Sequence, residues 1–170
     1  MKKLYKLLMA AVLITAMALP VVAAPSPEAE TRSTKVTASN SNVIPAEPSK
    51  ELSDEVARVT SDAQVLKDLN VPSDAHLAAV VDVSFSGTIP AGGQSVEFDV
   101  SAFAKKGDLV YILHRQPTSP YTWEVVGQTV VGDNLKATGT FTSFSPVAFM
   151  VVDASKVRSA GVRAPRTGEY

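Results

Sequence analysis

Residues 76–85 read HLAAVVDVSF and residues 109–115 read LVYILHR, and these two stretches decide the fold. In the first, Leu77, Ala79, Val81, Val83 and Phe85 alternate with His76, Ala78, Val80, Asp82 and Ser84, the period-two pattern of a strand with one fully buried face. The second is apolar on both faces and reads as a central strand covered on two sides. Four further segments alternate in the same way. Val96, Phe98 and Val100 oppose Glu97 and Asp99; Trp123, Val125, Thr129 and Val131 share a face; Leu135, Ala137 and Phe141 oppose Lys136, Thr138 and Thr140; Val147, Phe149 and Val151 complete the set. Between them, Ala91-Gly92-Gly93, Lys106-Gly107-Asp108 and Gly132-Asp133-Asn134 supply the positive-φ and side-chain-bonded positions that tight connections need. Short strands at this spacing without intervening helices predict a mainly β, antiparallel sandwich of about six or seven strands.

Upstream of the strands the period changes to 3.6. Leu52, Val56, Val59, Ala63 and Leu66 fall on one face of a helical stretch from Lys50 to Asn70, opposite Asp54, Arg58, Asp62 and Lys67. Ser61-Asp62-Ala63-Gln64 has the spacing of a capping box, which predicts a break near Thr60. Pro72 stops any continuation. Such a stripe ordinarily covers the core of its own domain.

Residues 25–49 are rich in Pro, Ser, Thr, Glu, Ala and Asn, with isolated apolar residues. A segment of this composition buries too little surface to offset its ordering entropy, so it is expected to be a disordered stalk. Residues 1–24 have the three parts of a secretory signal: Lys2, Lys3 and Lys6, an apolar run from Leu7 to Leu19, and the small residues Val22-Ala23-Ala24. The apolar run is too short to span a bilayer, which takes about 20 residues, and Pro20 interrupts it. Cleavage by signal peptidase is therefore expected, and with it an extracellular location.

Cleavage after Ala24 removes three lysines and no acid, leaving 13 basic against 17 acidic side chains and a net charge of −4. A mildly acidic chain lacks the basic patch that nucleic acid or anionic lipid demands. No cysteine is present, which excludes disulfides, thiolate nucleophiles and zinc–thiolate sites.

The strings LKDLNVPSDAHLAAVVDVSF, KKGDLVYILHR and ATGTFTSFSPVAFMVVD, with a single Trp123, resemble the small immunoglobulin-like β-sandwich modules near the C-termini of secreted and wall-attached proteins of Gram-positive bacteria. The likeness covers about residues 62 to 153. It implies a surface location, a spacer or adhesion role, and no active site. Ala164-Pro165-Arg166-Thr167-Gly168 is similar to sortase motifs of the LPxTG type, matching at Pro165, Thr167 and Gly168 and departing at Ala164. In such a motif a sortase thiolate attacks the Thr167 carbonyl and joins the chain to peptidoglycan. Only Glu169 and Tyr170 follow in this sequence, without the apolar retaining segment of a working signal.

Candidates for chemistry are few. His76 and His114 are the two histidines, and neither has a ligand spacing. His114, on the face of Val110 and Ile112, reads as a hydrogen-bonded structural residue near a strand's end. The serines of TSFSP lack the glycines of a nucleophile elbow. Asp82, Asp99 and Asp108 read as solvated, and no carboxylate run gathers calcium. For binding, Tyr121 and Trp123 lie two apart, and Tyr111 joins them if the neighbouring strand pairs there; such rings stack on glycan, although the sole tryptophan of a small sandwich usually anchors its core.

The expected organisation is a signal peptide at 1–24, a stalk at 25–49, a helix plus sandwich at 50–153 and a tail with the sorting motif at 154–170. The expected role is a non-catalytic spacer or adhesion module with no cofactor or metal, whose partners are signal peptidase, sortase, peptidoglycan, and a glycan or host protein. A glycan-binding module on Tyr111, Tyr121 and Trp123 is the second reading. A small hydrolase on His114 with an acid and a serine is the third. A buried indole would end the glycan platform, and a His114 far from every carboxylate and hydroxyl would end the hydrolase.

Overall fold

The computed structural model describes residues 36–159. The signal segment, residues 25–35 of the expected stalk and the sorting motif lie outside those residues. The chain order is β1 (Thr37–Ala38), β2 (Val43–Ala46), α1 (Lys50–Ser61), α2 (Ala63–Asp68), β3 (His76–Phe85), β4 (Gln94–Asp99), β5 (Leu109–Arg115), β6 (Trp123–Val130), β7 (Lys136–Phe141), β8 (Val147–Val152) and α3 (Ala154–Ser159).

The strands form two sheets, one ordered β1-β4-β7 and the other β2-β3-β8-β5-β6, and every pairing is antiparallel. Val81, Val83, Val96, Phe98, Ile112, Phe141 and Phe149 meet between the sheets in the larger core. Phe98 packs edge-on against both Phe141 and Phe149, with ring centroids 5.9 and 5.3 Å apart. The opposite face of the five-stranded sheet carries a second core, in which Leu52, Val56 and Leu66 of the helices cover Leu109, Leu113, Met150 and Val152. The five-stranded sheet is thus the middle of three layers, which is why β5 and β8 are apolar on both faces.

Several expectations shift. There are eight strands among the described residues, because β1 and β2 arise within the expected 25–49 stalk: Thr37 pairs with Asp99, and Val43–Ala46 pair with Phe85–Asp82. Val36 and Val43, isolated in sequence, are buried in the inter-sheet core. The helical break falls at Asp62, whose carboxylate accepts from the Gln64 and Val65 amides, so Asp62 rather than Ser61 caps α2. The turn this introduces leaves Ala63 exposed and buries Thr60 instead.

In β6 the expected common face of Trp123, Val125, Thr129 and Val131 is broken. The register slips between Ile112 and Leu113 of β5, which pair with Gly127 and Val125, so Val126 is an extra residue. A bulge of this kind reverses the facing of the strand residues on its far side. Trp123, Val125 and Val130 accordingly pack in the helix-side core, and Val126 and Val131 between the sheets.

The register also defines two poles. Val36 enters beside the end of β4, where Thr37 meets Asp99, and Asp99 in turn meets Lys136 at the start of β7. At the same pole the Gly107 amide donates to the Val131 carbonyl, and the Ala154 amide at the start of α3 donates to Asp108. The opposite pole holds the ends of β3, β5 and β7 and the starts of β6 and β8.

Candidate functional site

Three polar side chains meet at that opposite pole. His114 is the penultimate residue of β5 on the inter-sheet face and is fully buried, its ring edge-on to Phe141 at 5.5 Å. Glu124 stands directly across from it on β6, and cross-strand partners share a face. The Glu124 Oε1 lies 2.9 Å from His114 Nδ1. Ser145, in the connection from β7 to β8, places Oγ 3.0 Å from Nε2 and donates to the Arg115 carbonyl. An acid, an imidazole and a hydroxyl are therefore gathered, contrary to the separation that would have ended the hydrolase reading. His114 is hydrogen-bonded at a strand's end, as its position on the apolar face implied.

The direction of the hydroxyl decides what this chain of groups can do. A serine nucleophile gives its proton to the imidazole as it attacks. Here Ser145 Oγ lies against both the imidazole and the Arg115 carbonyl, and a hydroxyl proton given to that carbonyl is not given to the imidazole. Pro146 follows and has no N–H, which removes the amide that most simply forms half of an oxyanion hole after a nucleophile. The cluster is a polar clamp joining β5, β6 and the β7–β8 connection. Its signal in the sequence lies in hairpin register: once residues 116–122 are read as the β5–β6 connection, Glu124 falls opposite His114.

Beside the clamp an open cleft of 480 Å³ is lined by Asp82, Ser84, Arg115, Tyr121, Phe144 and Ser145, among others. Asp82 and Ser84 alternate with buried Val81 and Val83, so they face the helix side of the sheet. Arg115 faces the same way, and its Nη1 donates to Glu55 of α1 at 2.8 Å. The guanidinium lies over the Tyr121 ring, 4.4 Å from its centroid, while its buried Nε has no acceptor. Phe144 stacks on Phe85 with centroids 4.7 Å apart and forms the apolar end of the cleft.

The three expected aromatic binding residues do not form one surface. Tyr111 is only 5% exposed within the helix-side core, its hydroxyl accepting from Gln128 Nε2 and its phenol pushed above the usual range by burial, with the charge of Asp74 adding to the shift. Trp123 is half-buried against the same core. Tyr121 precedes β6, so strand alternation does not apply to it, and it is 55% exposed. Asp108, expected to be solvated, is buried and accepts from the Lys105 and Ala154 amides. Asp99 accepts from the Ser101 amide, and hydrogen bonding from Ser101 holds its carboxyl below the usual range. His76 is exposed at the start of β3.

Among the described residues no group of three metal-ligating side chains converges, and no helix is long and apolar enough to cross a membrane. No family model, curated protein or solved structure matches the chain.

Proposed function

We propose that this chain is an exported, non-catalytic module of the immunoglobulin-like sandwich kind, displayed on a Gram-positive surface as a spacer or adhesion unit. The observation that carries the reading is polarity: the described residues begin at Val36 and run into α3 at one pole, while the cleft opens at the other. A module tethered through either tail would hold its cleft away from the tether. The signal-like segment supplies export, and the Ala164–Gly168 motif supplies attachment through sortase to peptidoglycan. The test is expression of the full chain in a Gram-positive host, with fractionation and N-terminal sequencing. Product in the wall or medium beginning near Pro25 is the expected result. A cytosolic product that retains Met1 overturns the reading.

The Ser145–His114–Glu124 alignment favours one alternative, a small serine hydrolase. It separates by chemistry: the wild-type chain is expected neither to hydrolyse nitrophenyl esters nor to be labelled by a fluorophosphonate. Labelling that disappears in Ser145→Ala would establish the hydrolase instead.

A further inference from the structure

Within the cleft the strand register sets up a row. One residue beyond the pairs Val81↔Val147 and His114↔Val147, Asp82, Pro146 and Arg115 lie side by side across β3, β8 and β5, with the Arg115 amide donating to the Pro146 carbonyl. At one strand spacing per step, the Asp82 and Arg115 backbones are about 10 Å apart. Their side chains rise from the same face with Pro146 as the floor between them. They do not close on each other: Arg115 is drawn aside to Glu55 and Tyr121, and the Asp82 carboxylate has no side-chain partner among the described residues.

We propose that this cleft binds a neutral saccharide, stacked on the exposed face of Tyr121 and hydrogen-bonded through its hydroxyls to Asp82 and the Arg115 edge. Three observations select that ligand class. The first is charge: among the described residues the one cation lining the cleft, Arg115, already has Glu55 as its partner, and Asp82 adds an unpaired negative charge, so a polyanion is disfavoured. The second is the backbone. The cleft floor is made of β3, β8 and β5, whose edges are occupied by neighbouring strands, so an extended peptide finds no free ladder on which to add.

The third is the mixture of groups. One exposed aromatic ring, braced from behind by a guanidinium, stands beside an unpaired acceptor and the hydroxyl of Ser84. That combination matches a ring with apolar C–H faces and a rim of hydroxyls, each both donor and acceptor. The cleft's 480 Å³ falls within the range of about 300–1,000 Å³ usual for small-ligand sites.

The ligand's source rests on the display reading, and its chemistry on the cleft alone. The test is affinity electrophoresis of the full chain in gels containing a neutral β-glucan, a mannan, a galactan or, as anionic control, polygalacturonate. Retardation by at least one neutral polymer is expected, with affinity falling at least tenfold in Tyr121→Ala and in Asp82→Asn, each checked for native circular dichroism. The Trp123→Phe variant, altered outside the proposed contacts, is expected to keep the retardation. No retardation by any neutral polymer, retardation unaffected by the Tyr121 and Asp82 variants, or preference for polygalacturonate overturns the proposal. A chain exported to the surface yet indifferent to every polymer fails this inference alone, and a chain that binds glycan yet stays cytosolic fails only the display reading.

Discussion

At the scale of single residues, the polar clamp and one glycine carry the strongest constraints. Removing the Ser145 hydroxyl leaves the Nε2 of a fully buried imidazole without its partner, and an unmet buried polar group costs about 1–3 kcal/mol. His114→Ala adds a cavity against Phe141, so its cost should be larger, about 3 kcal/mol or more. Urea unfolding should rank wild type above Ser145→Ala and Ser145→Ala above His114→Ala; equal midpoints for all three would show that the clamp contributes nothing to the fold. Gly127 is constrained by space instead. A Cβ added there would lie 2.3 Å from the Thr138 carbonyl oxygen and 2.9 Å from the Gly139 Cα, because β6 and β7 pass backbone to backbone where the two sheets approach. Since backbone cannot swing aside as a side chain can, Gly127→Ala is expected to lower the thermal midpoint by more than Gly92→Ala, where the added atom meets nothing within 4 Å.

At the scale of elements, capping and register explain both what could be read in advance and what could not. The helices begin where their caps dictate: the Ser49 hydroxyl accepts from the Leu52 amide, and Asp62 does the same work for α2. Asp62→Ala should therefore cost about 1 kcal/mol, and Ser61→Ala appreciably less, since Ser61 turns back to the Arg58 carbonyl; denaturant midpoints of the pair would show it. The six strands from β3 to β8 were legible because alternation is a local property of side chains. The bulge in β6 was not, since it exists only relative to a neighbouring strand. β1 and β2 were missed because two and four residues are too short for a period to emerge, and their stability comes from partners far along the chain.

The attachment of β1 shows this dependence. Glu97 of β4 accepts from Lys136 of β7 at 2.6 Å and from Ser39, just beyond β1, at 3.1 Å. Those bonds, chiefly that from Lys136, hold its carboxyl below the ordinary value of 4.5. A depressed folded-state value means that the contribution is complete above the ordinary range and is lost as pH falls through the lower one. Glu97→Gln should thus reduce the thermal midpoint slightly at pH 7, with the gap to wild type narrowing by pH 3. The exposure of the pair keeps the effect small and sensitive to salt. The site was less legible than the strands for the same long-range reason: His114, Tyr121 and Trp123 could be singled out, but Glu124, Ser145, Asp82 and Arg115 gain meaning only from the pairing of β3, β8, β5 and β6.

At the scale of the molecule, the five-stranded sheet belongs to both cores at once. Phe98, Phe141 and Phe149 press on one face, and Leu52, Val56 and Leu66 on the other, while the alternate residues of β5 and β8 are shared out between them. Phe149 and Met150 are consecutive, both fully buried, and lie in different cores. Loss of packing on one side must therefore be felt on the other through the same backbone, and the three layers should unfold as one unit. Phe98→Ala, which removes a ring from the inter-sheet core at a cost of about 3–5 kcal/mol, provides the test. Fluorescence of Trp123, the only tryptophan, reports on the helix-side core in which it packs, and far-ultraviolet circular dichroism reports on the whole. Both midpoints should fall together in Phe98→Ala, as they should when Met150→Ala opens the other core. A tryptophan signal that stays at its wild-type midpoint in Phe98→Ala would mean that the helical layer and the sheet beneath it hold together without the three-stranded sheet, and that the shared strands do not couple the two cores.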